Sequence, residues 1–189
     1  MTTQPATHPA PTTRPTAHPG APAVSTAACV VRPIAPSDLA QLRTADDAGR
    51  PCAPFTDDEG GSPLRCCLRH SEPGERIALV SYAPLRRWAA RTGADLGAYD
   101  EQGPVFIHAR ECAGPGRDGA GDGVPFGNAH RIVRRYSAEG RILGGELVGT
   151  PGDTAFREAF HNALDDPSVA FVHVRAVEYG CFLYEVARA

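Results

Sequence analysis

The segment from Ala170 to Val186 constrains this chain more than any other. Its first half alternates strictly, with Phe171, His173 and Arg175 projecting one way and Val172 and Val174 the other. A period of two belongs to a β-strand with two unlike faces. After a short turn, Gly180-Cys181-Phe182-Leu183-Tyr184-Glu185-Val186 reads as its partner strand. The same arrangement, Phe-x-His-x-Arg, occurs earlier at Phe106-Ile107-His108-Ala109-Arg110. Each of these strands carries an imidazole and a guanidinium on the same face as a ring. Paired side by side, they would gather His108, Arg110, His173 and Arg175 onto one surface.

The remaining segments fit around such strands. Met1 to Ala23 is rich in Pro, Thr and Ala with almost no large apolar residue, so residues 1–27 are expected to form a disordered tail. Residues 28–189 are expected to form one domain. Cys29–Ile34 reads as a first strand, followed by a short helix capped by Ser37 with Leu39 and Leu42 facing inward. Leu64–Leu68 and Ile77–Tyr82 read as strands of one hairpin, joined through the Pro73-Gly74 turn. Leu85–Arg91 is a second short helix, ended at Thr92-Gly93. Ala113–Gly127 is so rich in Gly that it reads as a long irregular loop. Arg131–Tyr136 and Arg141–Val148 form another hairpin with Ala138-Glu139-Gly140 at its tip. The longest helix is capped by Asp153 or Thr154 and runs to Leu164, burying Phe156, Ala159, Phe160 and Ala163. The expected fold is α+β, a single domain on a largely antiparallel β-sheet with one main helix and short accessory helices.

Charge and cysteine usage narrow the classes of function. A net charge of -3 and a pI near 6.1 provide no basic field to recruit nucleic acid or anionic membrane. Every one of the 19 basic residues is arginine, which supplies planar, two-pronged donors wherever an anion must be held. Met1–Gly20 has no apolar core of a secretory signal, and no window is long enough to span a membrane. These features point to a soluble cytoplasmic protein whose six cysteines are mostly reduced. The adjacent Cys66 and Cys67, read as strand residues, would point to opposite faces, which disfavours a disulfide between them.

Three segments in fixed order resemble a known family. They are Cys67-Leu68 with Glu72-Pro73-Gly74-Glu75, then Gly103-Pro104-Val105-Phe106-Ile107-His108-Ala109, and then Val172-His173-Val174-Arg175 with Tyr179-Gly180-Cys181-Phe182. The pattern looks like the bacterial domain-of-unknown-function family 1203, and the likeness covers roughly Arg65 to Arg188. The resemblance implies a small bacterial single-domain protein and brings with it no reaction, cofactor or substrate. The family's Pro-Cys-Arg stands where this chain has Pro63-Leu64-Arg65, and an Asn often follows the Arg where this chain has Ala176. A role for either missing group is lost here, or in the case of the thiol shifted to Cys66.

Three chemistries remain open from the residues. His108 and Cys112, with His173 and Cys181, offer zinc-type donors, but no recognised ligand spacing such as Cys-x-x-Cys occurs, so no metal site is assigned. Cys181, next to Gly180, is a candidate reactive thiol if a neighbouring His or Arg favours its thiolate. The favoured reading is a small anionic ligand held by His108, Arg110, His173 and Arg175, with Cys112 or Cys181 at the rim. The competing class is a non-catalytic interaction or regulatory domain, since no self-sufficient catalytic motif is present. A concave His/Arg surface favours the ligand, and a flat one favours a protein partner. Cofactor and oligomeric state are not legible in the sequence.

Overall fold

The computed structural model describes residues 29–116 and 123–189, so the N-terminal tail and part of the Gly-rich loop lie outside the described residues. The strands are β1 (Cys29–Arg32), β2 (Phe55–Asp57), β3 (Pro63–Leu64), β4 (Arg69–His70) and β5 (Glu75–Tyr82), followed by β6 (Gly103–His108), β7 (Arg131–Tyr136), β8 (Ile142–Val148), β9 (Phe171–Ala176) and β10 (Phe182–Arg188). Three α-helices accompany them: α1 (Pro36–Leu42), α2 (Pro84–Thr92) and α3 (Asp153–Asp165). The fold is α+β and mostly antiparallel, as expected, but the strands divide into two sheets of five. One has the order β1-β10-β9-β7-β8 and the other β2-β5-β6-β3-β4, with β3 and β6 the parallel pair.

The alternation of β9 builds the first sheet. Val172 and Val174 pack with Val133, Tyr184 and Val186 on one face, beneath Phe156, Ala159, Phe160 and Ala163 of α3. Those helix positions recur at the spacing that places them on one side. Burying Phe156 and Phe160 contributes on the order of 2–3 kcal/mol each. On the opposite face Phe171 stacks on Tyr136 and meets Trp88 of α2, which seals a second, smaller core with Leu85 and Leu96. In the second sheet Ala78, Val80, Val105 and Ile107 form the inner face and pack against Leu39 and Leu42 of α1.

Several local expectations change for physical reasons. Ala35, not Ser37, stands at the cap of α1, because Pro36 fixes the first helical position. Gly152 stands at the cap of α3, and the Asp153 carboxylate is spent on the Val124 N–H at 2.9 Å. Of the expected Leu64–Leu68 strand only Leu64 is extended, in β3; Arg65–Leu68 is a turn closed by Leu68 N–H donating to Leu64 O at 2.9 Å. Nor do these residues form a hairpin with β5, whose neighbours are β2 and β6. The β7–β8 hairpin forms as read, with the chain reversing through Ser137–Gly140.

Between the sheets and helices, charges are paired. Arg87 bridges α2 to Asp47 at 2.7 Å and to Asp38 of α1 at 3.4 Å, and all three side chains are largely buried. Among the described residues no helix is long and apolar enough to cross a membrane.

Candidate functional site

The Arg65–Leu68 turn places two sulfurs where a strand could not. Leu68 adopts a left-handed backbone with φ 59°, and the tight reversal leaves Cys66 Sγ and Cys67 Sγ 3.9 Å apart, both buried. The parallel neighbour of this segment is β6, fixed by Arg65 N–H donating to Phe106 O at 2.9 Å. Its last residue, His108, therefore arrives beside the turn. His108 Nδ1 lies 3.3 Å from Cys66 Sγ and 3.7 Å from Cys67 Sγ, and its backbone N–H donates to Cys66 Sγ at 3.3 Å. The chain then bends at Ala109–Arg110 and returns Cys112 to the same place. One donor atom from each of Cys66, Cys67, His108 and Cys112 lies within 4.8 Å of all the others.

The surroundings orient and polarise this cluster. His108 Nε2 lies 3.4 Å from Glu75 Oε1 and 3.3 Å from Arg69 Nη2, and Nδ1 faces the sulfurs. Glu75 is held in turn by a two-pronged contact with Arg69 at 2.9 and 2.5 Å, which keeps its carboxyl down at about 2. Cys66 donates its thiol proton to Cys67, which with burial pushes the Cys66 thiol up and draws the Cys67 thiol down. The Cys112 thiol is pushed up by burial. Arg43 donates to His108 O at 3.1 Å and adds a second positive charge on this side of the cluster.

The six residues expected to form one site are not brought together. β9 has both edges taken by β7 and β10, and β6 by β5 and β3, so the two Phe-x-His-x-Arg strands lie in different sheets. His108 and Cys112 belong to the thiol cluster. Arg110 is exposed beyond the end of β6. His173 is 1 % exposed and enclosed by Tyr136, Phe171 and Phe182, with ring centroids 4.6, 5.2 and 4.9 Å away. Burial first, then Arg175 and Arg134, hold its pKa well below the ordinary imidazole range, so it is a neutral core residue. Arg175 is engaged by Glu101 at 3.0 Å and by Gly180 O at 2.8 Å. Cys181 lies half-buried at the β9–β10 turn.

The sequence pairs His108 with Cys112 and offers Cys66 only as a displaced thiol, with neither Cys66 nor Cys67 among the zinc-type donors. The signal is the adjacent cysteines themselves: a strand would point them apart, and the turn at Leu68 brings them together.

Comparison with known proteins agrees with the motif order. Residues 61–188 match the family described as "Protein of unknown function (DUF1203)". The chain belongs to this family. Three of the clustered donors, Cys66 and Cys67 on the turn and His108 on β6, and the fourth, Cys112, all fall inside the DUF1203 region. No curated protein and no solved structure matches the chain.

Proposed function

We propose that this DUF1203 chain is a metal-binding protein that holds one zinc-class divalent ion through Cys66, Cys67, Cys112 and His108. The observation that carries the reading is the mutual approach of three sulfurs and one imidazole nitrogen from three separate stretches of chain. A tetrahedral zinc with Zn–S near 2.3 Å and Zn–N near 2.0 Å separates its sulfurs by about 3.8 Å and sulfur from nitrogen by about 3.5 Å. The distances of 3.9, 3.3 and 3.7 Å bracket those values. Glu75 behind the imidazole supplies the carboxylate partner that metal-bound histidines commonly have. Soft thiolates with an imidazole select zinc over magnesium or calcium.

Four protein donors leave no open position, so the reading assigns the ion a holding role: it pins the Arg65–Leu68 turn, the end of β6 and the segment reaching Cys112. Binding removes the thiol protons, so affinity rises with pH. The reading goes with a reducing, cytoplasmic setting in which Cys66, Cys67 and Cys112 stay available as thiols.

Elemental analysis of protein purified without chelator should find about one zinc per chain, and less than half of that in Cys112→Ser. Cobalt(II) substitution should give tetrahedral d–d bands with thiolate charge transfer. Protein that takes up neither ion refutes the centre. A second reading, a redox thiol pair, is favoured by the shared proton between Cys66 and Cys67. It predicts loss of two hydrogens from these residues under mild oxidation, undiminished by added zinc.

A further inference from the structure

A second site lies in the cleft where the two sheets approach each other. Arg65 and Arg131 line it with His70 and Cys181, and its apolar wall includes Leu79, Phe106 and Leu183. The cleft opens to solvent and has a volume of about 730 Å³, the size of a pocket for a small organic molecule.

The charges in this cleft are only partly balanced by the protein: Glu178 lines it and reaches Arg131, and no acid pairs with Arg65 among the described residues. Arg65 is 4 % exposed, yet its contacts are backbone carbonyls: Nε donates to Phe182 O at 2.9 Å and Nη1 to Pro63 O. Arg131 has a side chain only 10 % exposed, and its nearest acid, Glu178, stands 3.9 Å away and is itself 56 % exposed. Its Nη1 donates to His130 O at 2.8 Å, while its buried Nε has no partner. Burial and the two guanidiniums lower the His70 pKa, which disfavours a further positive charge beside them. A buried cation without an acid costs several kcal/mol as a general magnitude, and a bound anion removes that cost.

We propose that this cleft binds a small carboxylate with an apolar body, its carboxylate between Arg65 and Arg131 and its hydrocarbon against Leu79, Phe106 and Leu183. Two guanidinium groups recognise a carboxylate in plane, and the apolar wall rejects a fully hydrated anion. The anion expected from the sequence would here be held by Arg65, on the turn after β3, and Arg131, on β7, and not by the arginines of the twin motif. The cleft uses none of the thiol-cluster donors, although Arg65 stands on the same turn as Cys66 and Cys67.

The test is calorimetric titration of the full chain with octanoate and 4-phenylbutyrate, with acetate and inorganic phosphate as comparison. Wild type should bind both apolar carboxylates saturably and acetate and phosphate at least about tenfold more weakly. Arg131→Met should lose about tenfold or more in affinity. Because Leu79 is 51 % exposed, Leu79→Glu should fold normally, and it should lose binding by repulsion. Circular dichroism melts establish that both variants are folded. No saturable heat with either carboxylate up to about 5 mM in wild type overturns the proposal. So does unchanged affinity in both variants, or phosphate binding as tightly as octanoate.

Discussion

At the scale of single residues, alternation told which side of a strand each group occupies but not what waits there. His173 and Arg175 do share a face with Phe171. That face is an interior, and His173 meets three rings instead of a ligand. The groups facing it include Arg134 on β7, Arg175 on its own strand and Glu185 on β10, whose carboxylate is 4.0 Å from Nε2. The consequence is a pH dependence. The unfolded chain protonates this imidazole near its ordinary value of 6.5, whereas the folded chain resists protonation to well below it. Protons therefore bind the unfolded state first, and stability falls as pH drops below 6.5, by up to about 1.4 kcal/mol per pH unit from this group. Above 6.5 the contribution is level. Chemical denaturation at a series of pH values should show that slope in wild type and a shallower one in His173→Leu. An identical slope in both would mean that His173 titrates normally in the fold.

Among the elements, long periodic ones were legible and short ones were not. The buried stripe of α3 and the β7–β8 hairpin follow directly from spacing and turn residues. β3 and β4 have two residues each, too few to show a period, and they exist because β6 and the Pro63–His70 pairing hold them. The candidate metal centre hangs on this illegible stretch, which is why half of its donors escaped sequence reasoning. Helix placement depends on charge as well. Asp47 accepts from Ala83 N–H at 2.7 Å, at the start of α2, and from Arg87 at 2.7 Å, so one carboxylate fixes the helix start and anchors its buried cation. Asp47→Ala leaves Arg87 without its main partner and should cost about 3 kcal/mol. The pair of Asp46 with Arg50, whose guanidinium side is 70 % exposed, is a control, and Arg50→Ala should cost less than about 1 kcal/mol. Urea unfolding of both variants measures the difference, and equal costs would contradict the weight placed on burial.

For the molecule as a whole, the partition into two sheets is the feature least visible in sequence, since it depends on which edges are already occupied. The first sheet is made from the first strand and the last four, and the second from the strands between. β10 ties them together: Leu183, Tyr184 and Val186 lie in the core under α3, Phe182 in the core of the second sheet, and Ala187 in the small core with Trp88. Phe182 also touches Tyr82 of β5 and His173 of β9, with centroids 5.4 and 4.9 Å away. A strand shared by three cores cannot leave one without opening the others, so the sheets should unfold in a single transition. The lone tryptophan, Trp88, reports on the first sheet through its contact with Phe171 at 5.0 Å. The buried Cys66 and Cys67 report on the second. Trp88 fluorescence and pulsed thiol labelling of Cys66 and Cys67 across a urea series should give coincident midpoints. Phe182→Ala should move both midpoints down together, by about 3–5 kcal/mol in stability. If thiol labelling instead precedes the fluorescence change in wild type, the second sheet opens on its own, and β10 is not the strand that couples the two.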